Sequence, residues 1–252
     1  MSDRKLPKSL EKEPLIESLF EIRFSSDMPT SDVLAGILYS KLDGHKHIEK
    51  LPANEIPTII RQNDPNLQFA FLVKLQLEGY DVLIGDKNAA VSCNMPYQGW
   101  SPFRSKIRQI IGIINEAGIV KSIHRYSLKY VDLLEMDASR KYIDLLESTI
   151  SIGQYKLEGQ DFSLKVEISH EEFLNIVNIL SLAQLIVNNN VVKEGVIIDI
   201  DTIFMMPQSS DIDDWPQYVS EGLESIHAEN KRLFFNLLKE ETIASLNPKY
   251  DV

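Results

Sequence analysis

Apolar residues along this chain change period several times, and the changes mark out its elements. From Leu19 to Phe24 they alternate loosely, with Phe20, Ile22 and Phe24 on one side and Glu21 and Arg23 on the other, which predicts a strand over Leu15–Phe24. Thr30 or Ser31 then opens a short helix carrying Val33, Leu34, Ile37 and Leu38 at helical spacing. Gly44 to Asn66 is rich in Pro, Asn and charge and reads as a long connection. Three short strands follow at Gln68–Leu77, Tyr80–Gly85 and Ala89–Asn94, divided by Glu78-Gly79 and Asp86-Lys87-Asn88.

A helix beginning near Ser101, with Pro102 in its first turn, carries one apolar stripe of Phe103, Ile107, Ile110, Ile111 and Ile114 and ends at Gly118. Beyond it the pattern predicts a strand over Lys121–Leu134 and a short helix over Ser139–Leu146. Strands follow over Asp161–Ser169, Phe173–Val187 and Gly195–Met205, the last two joined by a turn at Asn188-Asn189-Asn190. A long helix from about Asp213 to Glu241 closes the chain. The expected fold class is therefore α+β.

Residues 1–13 read as a mobile charged arm, and 14–119 and 120–252 as two halves of one continuous globular unit. Each half runs strand, short helix, three strands, long helix, without residue identity between them. Two such halves make an antiparallel sheet with both long helices on one face, an arrangement analogous to the TATA-binding protein or a helix-grip fold.

Composition narrows the classes. The 252 residues are 44% hydrophobic and 25% charged, ordinary globular usage. No run approaches the roughly 20 apolar residues of a membrane span, and MSDRKLPKSLEKEP lacks the apolar core of a signal peptide. The expectation is a cytoplasmic protein with no membrane association. One cysteine, Cys93, rules out an intrachain disulfide or a multi-cysteine metal site and reads as a buried core thiol. Of the net charge of −11, residues 1–119 carry −1 and residues 120–252 carry −10. That balance argues against nucleic acid as a partner.

The familiar nucleotide, metalloprotease and serine-hydrolase signatures are absent, so no catalytic residue, metal site or cofactor is assigned. Three constellations stand out. Arg104, Arg108, Arg125 and Lys129 form a basic island with aromatic residues nearby, Tyr97 and Trp100 among them, which suits a phosphate or nucleotide ligand. Asp199 and Asp201 lie two apart on a strand, about 6.5–7 Å from each other on one face. On the closing helix Val219, Leu223, Ile226, Asn230, Leu233 and Leu237 make a heptad-like seam, able to meet a partner helix or the chain's own sheet. On the sheet, Asn230 is expected to bond a strand end or His227.

Several segments also resemble a known family. PLIESLFEIRF, NMPYQGWSPFRSKI, HRYSLKYVDLL, IIDID and HAENKRLFFNLL match, in order along nearly the whole chain, a sporadically distributed prokaryotic family of uncharacterised proteins of about 250 residues. Its most specific parts are the Pro-Tyr-x-Gly-Trp block (Pro96, Tyr97, Gly99, Trp100) and the Arg-Tyr block. The latter often reads Leu-Arg-Tyr-Ile-Asn in the family and here is Leu128-Lys129-Tyr130-Val131-Asp132. The resemblance implies no established activity. Patchy distribution implies a mobile or defence-type locus, toxin–antitoxin systems included. The resulting expectation is a non-catalytic interaction or ligand-sensing protein with a protein partner or as a homodimer. Its alternative is an anion-binding, nucleotide-binding or phosphoryl-processing protein built on the basic island and the Asp199–Asp201 pair.

Overall fold

The computed structural model describes residues 5–136, 141–187, 190–207 and 215–250. Along the first half of the chain come β1 (Ser9–Leu10), β2 (Leu15–Ser25), α1 (Ser31–Lys41), β3 (His47–Lys50), α2 (Thr58–Asn63), β4 (Phe71–Leu77), β5 (Tyr80–Gly85), β6 (Asn88–Cys93) and α3 (Trp100–Glu116). Then follow β7 (Ser122–Glu135), β8 (Ser151–Ile152), β9 (Tyr155–Lys156), β10 (Ser163–His170), β11 (Phe173–Val187), β12 (Asn190–Met205), α4 (Trp215–Leu237), α5 (Glu240–Ser245) and β13 (Pro248–Lys249). The protein is mixed α+β, with a nine-stranded antiparallel sheet in the order β10-β11-β12-β7-β2-β6-β5-β4-β3.

Most predicted strands stand within a few residues of their expected bounds. The connection expected from Gly44 to Asn66 instead supplies the edge strand β3, a 3-10 turn at Pro52–Glu55 and α2. Thr30 precedes α1 but does not cap it, because its hydroxyl donates to the Gly85 carbonyl at 2.9 Å. The expected Ser139–Leu146 helix is a 3-10 turn at Tyr142–Leu145, its first two positions lying outside the described residues. The Asn188–Asn190 turn and the Asp213 helix start fall wholly or partly outside them as well. The arm expected at 1–13 pairs from Lys8 onwards: Ser9 faces Lys249 and Leu10 faces Pro248.

The chain packs as two compact units. One comprises Met1–Ile16, Tyr130–Thr202 and His227–Val252, the other Glu17–Lys129 and Ile203–Ile226. The cuts fall inside β2, β7, β12 and α4.

In the second unit α3 presents Phe103, Ile107, Ile110, Ile111 and Ile114 inward, the stripe read from spacing. Isoleucine is a middling helix former, at a cost of up to about 0.7 kcal/mol per residue. Burying each such side chain contributes about 1.5–3 kcal/mol, so packing decides the conformation. Gly99, at φ 98°, turns the chain into this helix, and Gly118, at φ 66°, leads it out. The first unit's core gathers Leu134, Val177, Ile179, Val196, Ile198 and Leu238.

Candidate functional site

The Pro-Tyr-x-Gly-Trp turn leads into α3 through a cis Met95–Pro96 bond. The rings of Tyr97 and Trp100 meet Phe103 edge-on at 6.1 and 6.2 Å, and Tyr80 stacks on Phe103 at 6.3 Å. Trp100 Nε1 donates to Glu224 of α4 at 3.0 Å, and Arg104 makes an ion pair with the same carboxylate. One turn further on, Arg108 donates to the Ser220 carbonyl at 3.0 Å. The helical half of the basic island thus clasps α4.

Arg125 and Lys129 point the other way. Tyr126 and Phe204 stack at 5.1 Å, and Tyr126 meets Gly222 of α4, so Tyr126 faces the helices. Its strand neighbour Arg125 therefore lies on the opposite face of β7. There Arg125 donates to Glu21 of β2 at 3.0 Å, and Arg23 donates to the same oxygen at 3.0 Å. Asn88 of β6 donates to the other oxygen of Glu21 at 2.9 Å, and Arg23 lies over the Phe69 ring at 4.0 Å. Lys129 stands 3.9 Å from Glu17. A buried carboxylate with two guanidinium groups and an amide is a structural hub. The structure does not gather the four cations: two lie against α4 and two on the far face of the sheet.

Asp199 and Asp201 belong to the other compact unit, half-buried on β12, with Asn178 donating to Asp199 at 3.5 Å. The helix seam is likewise internal. Val219, Leu223, Ile226, Asn230 and Leu233 are buried within the chain, and Leu237 packs against the first unit's core. Asn230 donates to the Ile200 carbonyl and to Thr202, both at 3.0 Å, so it fixes α4 against β12. These residues therefore do not form an exposed face for a partner helix. Cys93 is buried, and burial pushes its thiol pKa up.

Three features went unread in the sequence. First, Glu229 accepts from Arg232 through Nε and Nη2, both at 2.8 Å, and from Asn175 at 2.9 Å, with His170 Nδ1 at 3.1 Å. Asn175 in turn accepts from Thr202 at 2.8 Å, linking Glu229 to Asn230 through buried polar atoms. Burial raises the Glu229 carboxyl, but the Arg232 and Asn175 hydrogen bonds outweigh it and hold the pKa below the usual range. The i, i+3 spacing of Glu229 and Arg232 was the available signal.

Second, Asp132 is buried, and burial together with the nearby Glu13 charge lifts its pKa well above the usual range. Glu13 is raised by its own burial, offset by Lys231, and borders a cleft of about 480 Å³ with Lys12, Leu134 and Thr242. Third, β8 and β9 form a hairpin whose facing residues Ile152 and Tyr155 are 69% and 72% exposed. Beside it lies a cleft of about 370 Å³ edged by Lys141, Asp144, Glu147, Lys156, Glu158 and Lys239.

Among the described residues no three or more His, Cys, Asp or Glu side chains gather as for a metal ion. None of the described helices is long and apolar enough to cross a membrane. No protein-family profile matches the chain. No match is found among curated proteins.

Proposed function

We propose that the protein works by binding another protein and does not turn over a substrate. The carrying observation is the exposed pair Ile152 and Tyr155 on the β8–β9 hairpin, beside a cleft edged by charges of both signs. An aliphatic and an aromatic anchor inside a polar rim is the make-up of a protein-binding hot spot. The reading gains weight because Arg104, Arg108 and Arg125 hold partners within their own unit. Co-purification with the products of neighbouring genes tests it. A complex that Ile152→Ser with Tyr155→Ser abolishes is expected, and a wild-type chain that captures none of those products would sink it.

The resemblance to the sporadically distributed family supports a mobile or defence-type locus as the setting, and the genes beside this one test that directly. A homodimer is also part of this reading. Two topologically equivalent halves remain our reading of the fold. Its support is the strand order, β7, β12, β11, β10 in one direction and β2, β6, β5, β4 in the other.

A second reading, a small anionic ligand, has one specific support. Lys106 borders a cleft of about 390 Å³ with His45, Glu78 and Gln98, 5.5 Å from the Tyr80 ring. Nucleotides or phosphate that raise the melting temperature of the wild type but not of Lys106→Ala would favour it.

A further inference from the structure

The sheet ends on two different edges. At one end β3 is four residues long and runs into Pro52, the usual protection of an edge. At the other, β10 is eight residues long, without Pro or Gly, and pairs with β11 in unbroken register from Ser163–Leu180 to His170–Phe173.

The outward groups of β10 follow from that register. The Ser181 amide donates to the Phe162 carbonyl at 3.0 Å, and the two-residue turn Glu171-Glu172 pairs His170 with Phe173. Even-numbered residues therefore aim N–H and C=O at β11, and Ser163, Lys165, Glu167 and Ser169 aim theirs out of the sheet.

The outer strand reads Ser163-Leu164-Lys165-Val166-Glu167-Ile168-Ser169, a chemical palindrome about Val166. We propose that β10 is a self-pairing edge, to which a second copy of this chain adds its own β10 antiparallel about a two-fold axis through Val166. In that register each outward-bonding residue meets another. Lys165 of one copy faces Glu167 of the other, twice over, and Ser163 faces Ser169. On the core side Leu164 meets Ile168 and Val166 meets Val166. Leu164 and Ile168 already pack on the first unit's core, while Val166 is left 38% exposed.

Sliding the pair to the neighbouring symmetric registers centres it on Lys165 or Glu167 and sets like charge against like, which is unfavourable. Among these three registers, charge therefore favours the one centred on Val166. A two-fold, self-complementary contact of this kind closes on itself and uses up both β10 edges, leaving only the short β3 edges at the ends. The inference stands apart from the hairpin reading, since Ile152 and Tyr155 play no part in it.

The test is sedimentation velocity of the full chain over a concentration series, with three variants. Wild type is expected to show a reversible monomer–dimer equilibrium. Glu167→Lys sets two positive charges against each other at both symmetric positions and is expected to weaken the dimer about tenfold. Lys165→Glu with Glu167→Lys restores opposite charges across the axis and is expected to restore the dimer. Val166→Cys should crosslink to itself on oxidation, because a non-hydrogen-bonded antiparallel pair holds its Cα atoms about 4.5 Å apart, within disulfide range. Cys93 is buried and does not compete. A wild type that stays monomeric at every concentration overturns the proposal. A dimer indifferent to Glu167→Lys, or Val166→Cys that stays uncrosslinked, also overturns it.

Discussion

The hydroxyl of Tyr126 on β7 stands where a β-carbon on Gly222 of α4 would be, with the Tyr126 Cζ only 3.0 Å from that position. Tyr126 is itself 1% exposed, so it has little room to retreat. Gly222→Ala is expected to lose about 1–3 kcal/mol to overpacking, less about 1 kcal/mol regained from helix propensity. Adding Tyr126→Phe should recover part of that loss, giving a favourable coupling in a double-mutant cycle by urea unfolding. Strictly additive losses would deny the contact.

Glu21 is the shared acceptor of Arg23, Arg125 and Asn88, so the two ends of the network are unequal. Glu21→Ala leaves two guanidinium groups facing each other and is expected to cost about 3 kcal/mol. Arg125→Met leaves Glu21 still paired with Arg23 and should cost about 1 kcal/mol. Chemical denaturation of both variants checks the order.

Asn230→Leu is expected to destabilise by about 1–3 kcal/mol, because it removes the amide that serves the Ile200 carbonyl and Thr202 in a buried place. The oligomeric state should be unchanged, as the residue faces the chain's own sheet. A shift in mass would return Asn230 to a partner interface.

Asp132 sets a pH dependence of known sign. Its folded pKa is raised, so the favourable state is the protonated one. Its contribution is fully present below the ordinary value of 3.8 and is lost as pH rises through the raised value. Asp132→Asn keeps the shape without the charge. Its melting temperature should exceed that of wild type at pH 8 by about 2–4 °C, and the gap should close towards pH 4. A gap that does not change with pH would place the effect in packing alone.

Much of the fold was legible because burial imposes period. The α3 stripe and the long strands from β7 onwards carry strong apolar patterns, and each appears close to its expected place. β3 was missed because His47-Ile48-Glu49-Lys50 is an edge strand with three exposed residues, so no buried face wrote itself into the sequence. The segment around Ser9 was missed for a related reason: its partner lies at Lys249, and two-residue pairings leave no periodic trace.

The candidate site was legible only in part. Residue type and spacing picked out Arg104, Arg108, Arg125 and Lys129. Spacing cannot say that Arg104 and Arg125 leave the backbone on different elements and opposite faces, nor that Glu224 and Glu21 wait beside them. Exposure was hidden too. Ile152 and Tyr155 look like core residues by type, and only the hairpin geometry turns them outward.

The pairing of Ser9 and Leu10 with Lys249 and Pro248 also sets a timetable. Chain closure of that length is among the slowest contacts to find, since its entropy must be lost before any bond rewards it. On the ribosome, residues 8–12 emerge long before 246–249 exist, so until then they have no ladder to join. The cleft bordered by Glu13 and Leu246 is therefore completed only after Leu246 has left the ribosome.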